Sequence, residues 1–205
     1  MWRALRSPKA RRASTTAPMT ARSCSWRAGC STRPVAGATV DVWHANSFGL
    51  YSFFGPPQSP HNLRRRIETD RDGRYRFRSI MPSGYGCPPG SNTETLLAKM
   101  GRHGQRPAHI HFFVTAPGQR QLTTQINIDG DKYLRDDFAF GTRDDLIPPV
   151  ERITDAVEIH KAGLNKPFVR IGFDFRITRE VAGRQRRWFT ASMPWRPEAG
   201  RMTQA

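Results

Sequence analysis

Apolar and polar residues alternate along several short stretches of this chain. In PVAGATVDVWHA, which starts at Pro34, Val40 and Val42 flank a polar Asp41, the period-two pattern of a half-buried strand, and order is expected to begin there. GRYRFRSI, residues 73–80, places Tyr75 and Phe77 on one face and basic residues on the other. It follows DRDG, a tight-turn signal. HIHFFVTA, LTTQINI and RIGFDFRIT read as three further strands, each bounded by Gly, Pro or Asp. Many short strands separated by turns predict a mainly β chain folded as an antiparallel sandwich or barrel. SNTETLLAKMGRHG breaks the pattern, with Ser91 as N-cap, Glu94 at the capping-box position, Leu96, Leu97 and Met100 as the apolar set and Gly101 as the stop, so a helix is predicted. A second, shorter helix is expected from Thr154 to about Ala162.

Charge divides the 205 residues into three parts. The whole carries a net +16 and a pI near 11.2, values that ordinarily point to nucleic acid or an anionic membrane. Residues 1–33 hold eight basic and no acidic residues, and residues 179–205 hold six basic and two acidic, so most of the excess sits at the ends. Residues 34–178, with 19 basic and 15 acidic residues, have the balance of an ordinary soluble enzyme and form the expected catalytic domain between two basic tails. Cys24, Cys30 and Cys87 have no CxxC spacing, which indicates neither a zinc module nor a disulfide framework. No apolar run reaches the length of a membrane span.

The chemistry concentrates in RPAHIHFF, residues 106–113. On a strand His109 and His111 point to the same face, and two imidazoles side by side suggest a metal. Tyr51, in FGLYS, and Tyr85, in SGYGCPP, stand upstream in glycine-flanked loops. A phenol becomes a good ligand only for a strong Lewis acid, and two tyrosinates with two neutral imidazoles offset most of a 3+ charge. That combination points to non-haem Fe(III).

The runs VDVWHANSFGLYSFF, NLRRRIETDRDGRYRFRSIMPSGYGCPP, MGRHGQRPAHIHFF, LTTQINIDGD and DDFAFGTRDDL occur in this order within residues 34–178. Together they resemble the intradiol ring-cleaving dioxygenases, above all the catechol 1,2-dioxygenase type, with Met100 standing where a Leu is usual. The resemblance implies a β-sandwich with one Fe(III) per chain, held by Tyr51, Tyr85, His109 and His111. It implies cleavage of catechol by O2 to cis,cis-muconate in the breakdown of aromatic compounds, with catechol and O2 as the small-molecule partners, no nucleic acid, no membrane span and a cytoplasmic location. Tyr85 is the ligand implied to yield to catechol and to take up one of its protons. Arg106 is implied beside the substrate ring, where a guanidinium stabilises developing negative charge without being a ligand. Gln125 stands where the family has a glutamine near the ligand histidines, and Cys87, Phe138 and Ala139 match positions that wall the ring pocket. His44 is read as structural, His61, His103 and His160 as exposed, and Arg64 to Arg66 as a solvated or dimer-facing edge that precedes a strand.

The family also has a long helical N-terminal part that forms a homodimer and a lipid-binding channel and walls one side of the pocket. Residues 1–33 stand in its place. Their Arg-, Ser- and Thr-rich, acid-free character resembles a transit peptide. It resembles still more what GC-rich coding DNA gives out of frame, as does RQRRWFTASMPWRPEAG near the C-terminus. The expectation is therefore a truncated chain lacking the helices and the first sandwich strand, with a sheet edge left open. Chlorocatechol and hydroxyquinol 1,2-dioxygenases are the neighbouring readings. An inactive β-sandwich fragment or transthyretin-like binding module, and a basic nucleic-acid-binding protein resting on tail charge alone, belong to other classes.

Overall fold

A computed structural model describes residues 16–20, 24–28, 31–52 and 59–180, with residues before 34 given by their backbone alone. Three strands precede the alternating stretch: β1 (Thr16–Thr20), β2 (Cys24–Ala28) and β3 (Ser31–Pro34). There follow β4 (Thr39–His44), β5 (Arg64–Glu68), β6 (Arg76–Ile80), β7 (Tyr85–Gly86), helix α1 (Asn92–Lys99), β8 (Gln105–Arg106), β9 (His109–Thr115) and β10 (Leu122–Asn127). The described chain ends with β11 (Val150–Ile153), helix α2 (Ala156–Lys161), β12 (Phe168–Ile171) and β13 (Phe175–Ile177). The fold is mainly β, as the sequence predicts.

The central sheet has the order β10-β9-β4-β5, all antiparallel. Its inward face carries Val40 and Val42 of β4, Ile110, Phe112 and Val114 of β9, and Ile126 of β10. Because side chains alternate along a strand, the residues between them, Trp43, His109 and His111, fall on the other face. Val42 pairs with Phe112 in the core-facing row, and Trp43 pairs with His111 in the other. Ile171, Phe175 and Ile177 complete the core from outside this sheet, and the Phe112 and Phe175 rings meet with centroids 4.8 Å apart.

Several local expectations need correction. Strand structure begins before Pro34: β1 pairs with β6, and β2 pairs with β13 and β3. The β13–β2 pairing is parallel, and the other pairings among the described strands are antiparallel. Arg64 to Arg66 do not precede a strand; they form the start of β5, the edge of the central sheet, where outward side chains remain solvated. RIGFDFRIT is not one strand. It breaks after Ile171, with β12 joining β11 and β13 joining β2.

Helix α1 starts as expected, with Ser91 Oγ accepting from the Glu94 N–H and the Glu94 carboxylate accepting from the Gly90 N–H. It stops at Gly101, whose φ of 67° suits a residue without a Cβ. Its three apolar residues do not share one buried face, however. Leu97 is buried, whereas Leu96 and Met100 are exposed, because neighbours on a helix are about 100° apart and only one side meets the protein. Helix α2 lies within the expected span, capped by Asp155. Among the described residues no helix is long and apolar enough to cross a membrane.

Candidate metal centre

The four predicted ligands arrive on three kinds of support. His109 and His111 belong to β9, a strand hydrogen-bonded on both sides and therefore held in register. Tyr85 lies in β7, a two-residue strand rather than a free loop, paired directly with Arg106 of β8. Tyr51 follows a turn organised by Asn46, whose side-chain oxygen accepts the N–H groups of Phe48 and Leu50. The Asn46 carbonyl also accepts the Ser83 N–H, which ties the Tyr51 turn to the segment leading to Tyr85.

Two glycines let these segments touch. A Cβ on Gly49 would sit 2.8 Å from the Gly84 carbonyl oxygen, and Gly49 has a φ of 77°, so only glycine fits. A Cβ on Gly84 would sit 2.5 Å from the Arg106 carbonyl oxygen.

The other three predicted ligands and Arg106 converge on the Nε2 atom of His109. Arg106 Nη1 is 3.0 Å from it, His111 Nε2 3.1 Å, the Tyr51 hydroxyl 3.3 Å and the Tyr85 hydroxyl 3.4 Å. The two phenol oxygens are 3.5 Å apart. A neutral imidazole nitrogen has one lone pair, so hydrogen bonding alone does not account for four polar neighbours. Atoms held about 2.0–2.2 Å from a shared ion stand about 3.0–3.5 Å from each other, which is the spacing of this cluster. The Nδ1 of His109 lies 2.7 Å from the Pro107 carbonyl, which takes the ring proton there and leaves Nε2 with its lone pair toward the cluster. The Trp43 ring stacks on His111, with centroids 4.9 Å apart and planes 11° from parallel, and fixes its orientation.

The electrostatics are those of a site that disfavours protons on its nitrogens. Burial pushes His109 down to about 4, helped by the Arg106 charge. Burial, with His109 and Arg106 next, pushes His111 down to about 3. Burial and the neighbouring Tyr85 keep the Tyr51 phenol protonated well above its usual range, against smaller opposing effects of Arg106 and Arg64. Only a strongly acidic cation would displace that proton. Among the described residues no group of three or more His, Cys, Asp or Glu gathers, so the donors on offer are phenols and imidazoles. That donor set fits a hard trivalent ion such as Fe(III).

A pH dependence follows. Both imidazoles titrate near 6.5 when unfolded and near 4 and 3 when folded, so between these values the unfolded chain binds more protons. The metal-free protein is therefore expected to lose stability as pH falls from 6.5 toward 4, by at most about 1.4 kcal/mol per pH unit for each histidine. Urea midpoints at pH 7 and pH 5 check this; equal midpoints would show that the histidines are not buried as neutral rings.

The remaining predicted residues surround the cluster. Arg106 gives Nη2 to Gln125 Oε1 at 3.1 Å, and Gln125 passes Nε2 on to Asn127 Oδ1 at 2.9 Å. Gln125 pairs with His111, and Asn127 with His109, across the β10–β9 ladder. The backbone of Phe138 bonds to the Gln105 carbonyl, and that of Cys87 to the Gly104 carbonyl, so both flank the β7–β8 ribbon. Ala139 is exposed on the same turn as Phe138. His44 is buried and bonded to Ser79 Oγ at 2.6 Å and the Ala45 carbonyl at 2.7 Å, in keeping with a structural role. His61 and His160 are exposed, but His103 is half-buried against Asp136 at 2.8 Å.

Sequence reasoning missed Asp137. Its carboxylate meets the Arg106 guanidinium twice, at 3.1 Å from Nε and 3.1 Å from Nη2, with side-chain exposures of 1% for Asp137 and 12% for Arg106. Burial alone would weaken both charges. Their mutual hydrogen bonding outweighs it, holding Asp137 below and Arg106 above the usual values. The available signal was physical: an arginine close to buried ligands needs a carboxylate partner.

Comparison with known proteins gives consistent results. The model of the family described as Dioxygenase matches residues 28–178. A catechol 1,2-dioxygenase of Acinetobacter guillouiae is 54% identical over 147 residues, 72% of this chain and 48% of that protein. The chain thus spans about half the length of the curated relatives it matches. A catechol 1,2-dioxygenase structure from Acinetobacter sp. ADP1, inhibited by bound mercury, superposes with a TM-score of 0.79 at 44% identity, covering 84% of this chain and 55% of that one. Hydroxyquinol and chlorocatechol 1,2-dioxygenases are more distant, at 40% and 42% identity.

Proposed function

The chain belongs to the dioxygenase family whose model it matches, in its intradiol branch, and on that basis we propose that it cleaves catechol with O2 to cis,cis-muconate as a non-haem Fe(III) catechol 1,2-dioxygenase. The observation that carries the reading is the convergence of two phenols and two imidazoles on one point. Tyr51, Tyr85, His109 and His111 are the proposed ligands. A ferric ion held there would supply the Lewis acidity to bind catechol as its dianion and the electron-accepting power that opens the ring to O2.

The chain's own residues prepare that chemistry. The His109 Nδ1–H, which donates to the Pro107 carbonyl, keeps Nε2 available as a neutral ligand with its lone pair free of a proton. Tyr85, which would be ionised by a bound cation, is the proposed acceptor of one catechol proton, taken up on its phenolate oxygen. Arg106, fixed by Asp137 and Gln125, presents a cation to negative charge that develops on the substrate. Phe138, Cys87 and Ala139 are the proposed contacts of the ring. The reaction balances without a reductant, since catechol plus O2 equals muconic acid and both oxygen atoms enter the product. Plain catechol is preferred over its chlorinated or hydroxylated forms because the relatives named for catechol are the more similar ones.

The test is the visible spectrum of the full chain loaded with ferric iron, before and after anaerobic catechol, followed by oxygen uptake. A tyrosinate-to-iron band that shifts with catechol, with one muconate formed per O2, is expected. A colourless, iron-free protein would sink the proposal.

A further inference from the structure

Asp137 is the one carboxylate bonded to the site's arginine in the described structure, and its role is not exhausted by packing. Both oxygens are committed: Oδ1 accepts from Arg106 Nε and the Ala139 N–H at 3.1 Å, and Oδ2 from Arg106 Nη2 at 3.1 Å and the Gly141 N–H at 3.0 Å. It is therefore not an available ligand. The same guanidinium extends its other arm, Nη1, to within 3.0 Å of His109 Nε2. A permanent positive charge thus stands beside the atoms proposed to receive a cation. Left uncompensated, it would oppose loading.

The packing leaves little freedom for another arrangement. A Cβ on Gly141 would lie 2.7 Å from Arg106 Nη2, 3.1 Å from Asp137 Oδ2 and 3.2 Å from Gln125 Nε2, so any side chain at this position would press on all three groups. The turn from 137 to 141 folds over the carboxylate and carries Phe138 and Ala139.

We propose that Asp137 is a positioning and charge-compensating residue for the metal centre: it neutralises Arg106 and holds the guanidinium alongside the ligand cluster rather than across it, so that the four donors accept a cation. This rests on the proposed function above. Removing a partner that stands behind metal ligands typically lowers affinity by about 10- to 100-fold, and that is the loss expected for Asp137→Asn.

The experiment is a double-mutant cycle on the full chain, read as ferric affinity from iron per chain and the visible band in competition with citrate. The variants are Asp137→Asn, Arg106→Met and their combination, each checked for folding by circular dichroism. Asp137→Asn is expected to weaken ferric binding at least about tenfold in the parental chain and less than about threefold in the Arg106→Met chain, because the charge it compensates is then gone. An equal loss in both backgrounds, or none in the first, overturns the inference. If Asp137→Asn does not fold, Arg106→Met is compared with the double variant. Affinities within threefold support the inference, and a further loss of tenfold or more overturns it. A parental chain that binds no iron would instead sink the proposed function, and this inference with it.

Discussion

His109→Ala protein should emerge from ferric loading colourless and without stoichiometric iron. Nε2 of His109 is the point on which the other donors converge, within 3.1 Å of His111 Nε2 and 3.3 and 3.4 Å of the two phenols. Losing a direct ligand should exceed the roughly 100-fold loss of metal affinity that follows loss of an outer partner. Ring cleavage should fall with the bound iron. The substitution removes a ring from a strand hydrogen-bonded on both sides, so the fold is expected to survive, and circular dichroism separates lost ligation from lost structure. Parental iron content with an unchanged absorption band would show that the cluster is not the metal site.

The second large effect is on stability. Phe112 is 1% exposed, stands one residue beyond His111 on the opposite face of β9, and packs against Phe175 and Phe77 with ring centroids 4.8 Å and 6.4 Å away. Phe112→Ala should cost about 3–5 kcal/mol through lost burial and the cavity left behind. That is a large share of the roughly 5–15 kcal/mol that stabilises an ordinary domain. Urea unfolding with an unchanged slope measures it, and a cost below about 1 kcal/mol would mean that the core collapses to fill the gap.

These two neighbours also show what a sequence discloses. That His109 and His111 share one face while Phe112 and Ile110 share the other follows from strand alternation alone. The capping box at Ser91 and Glu94 and the turn at Asp70 to Gly73 were legible for the same reason: each is a local pattern with a local cause. Asp137 was not legible. In LRDDFAFG it is one of two adjacent acids, and only the closure of the 137–141 turn over Arg106 separates it from exposed Asp136. Asn127, fully buried and joined to Gln125, was hidden likewise by the pairing of β10 with β9. Of the strands before residue 34, β1 (TAPMT) and β3 (STRP) lack apolar alternation, and the alternation of β2 (CSWRA) is only five residues long within acid-free, Arg-rich text. Leu96 and Leu97 look alike in sequence, and only packing decides which turns inward.

The contact of Gly49 with Gly84, and of Gly84 with the Arg106 carbonyl, has a thermodynamic consequence. Three segments that deliver Tyr51, Tyr85 and the β8–β9 residues are locked together by the folding of the chain itself. The conformational entropy of gathering the donors is then lost during folding and not when an ion arrives. At the proposed site, ion capture would then be the exchange of protons for a cation within a finished cage, and its free energy would report charge and donor chemistry rather than the ordering of loops.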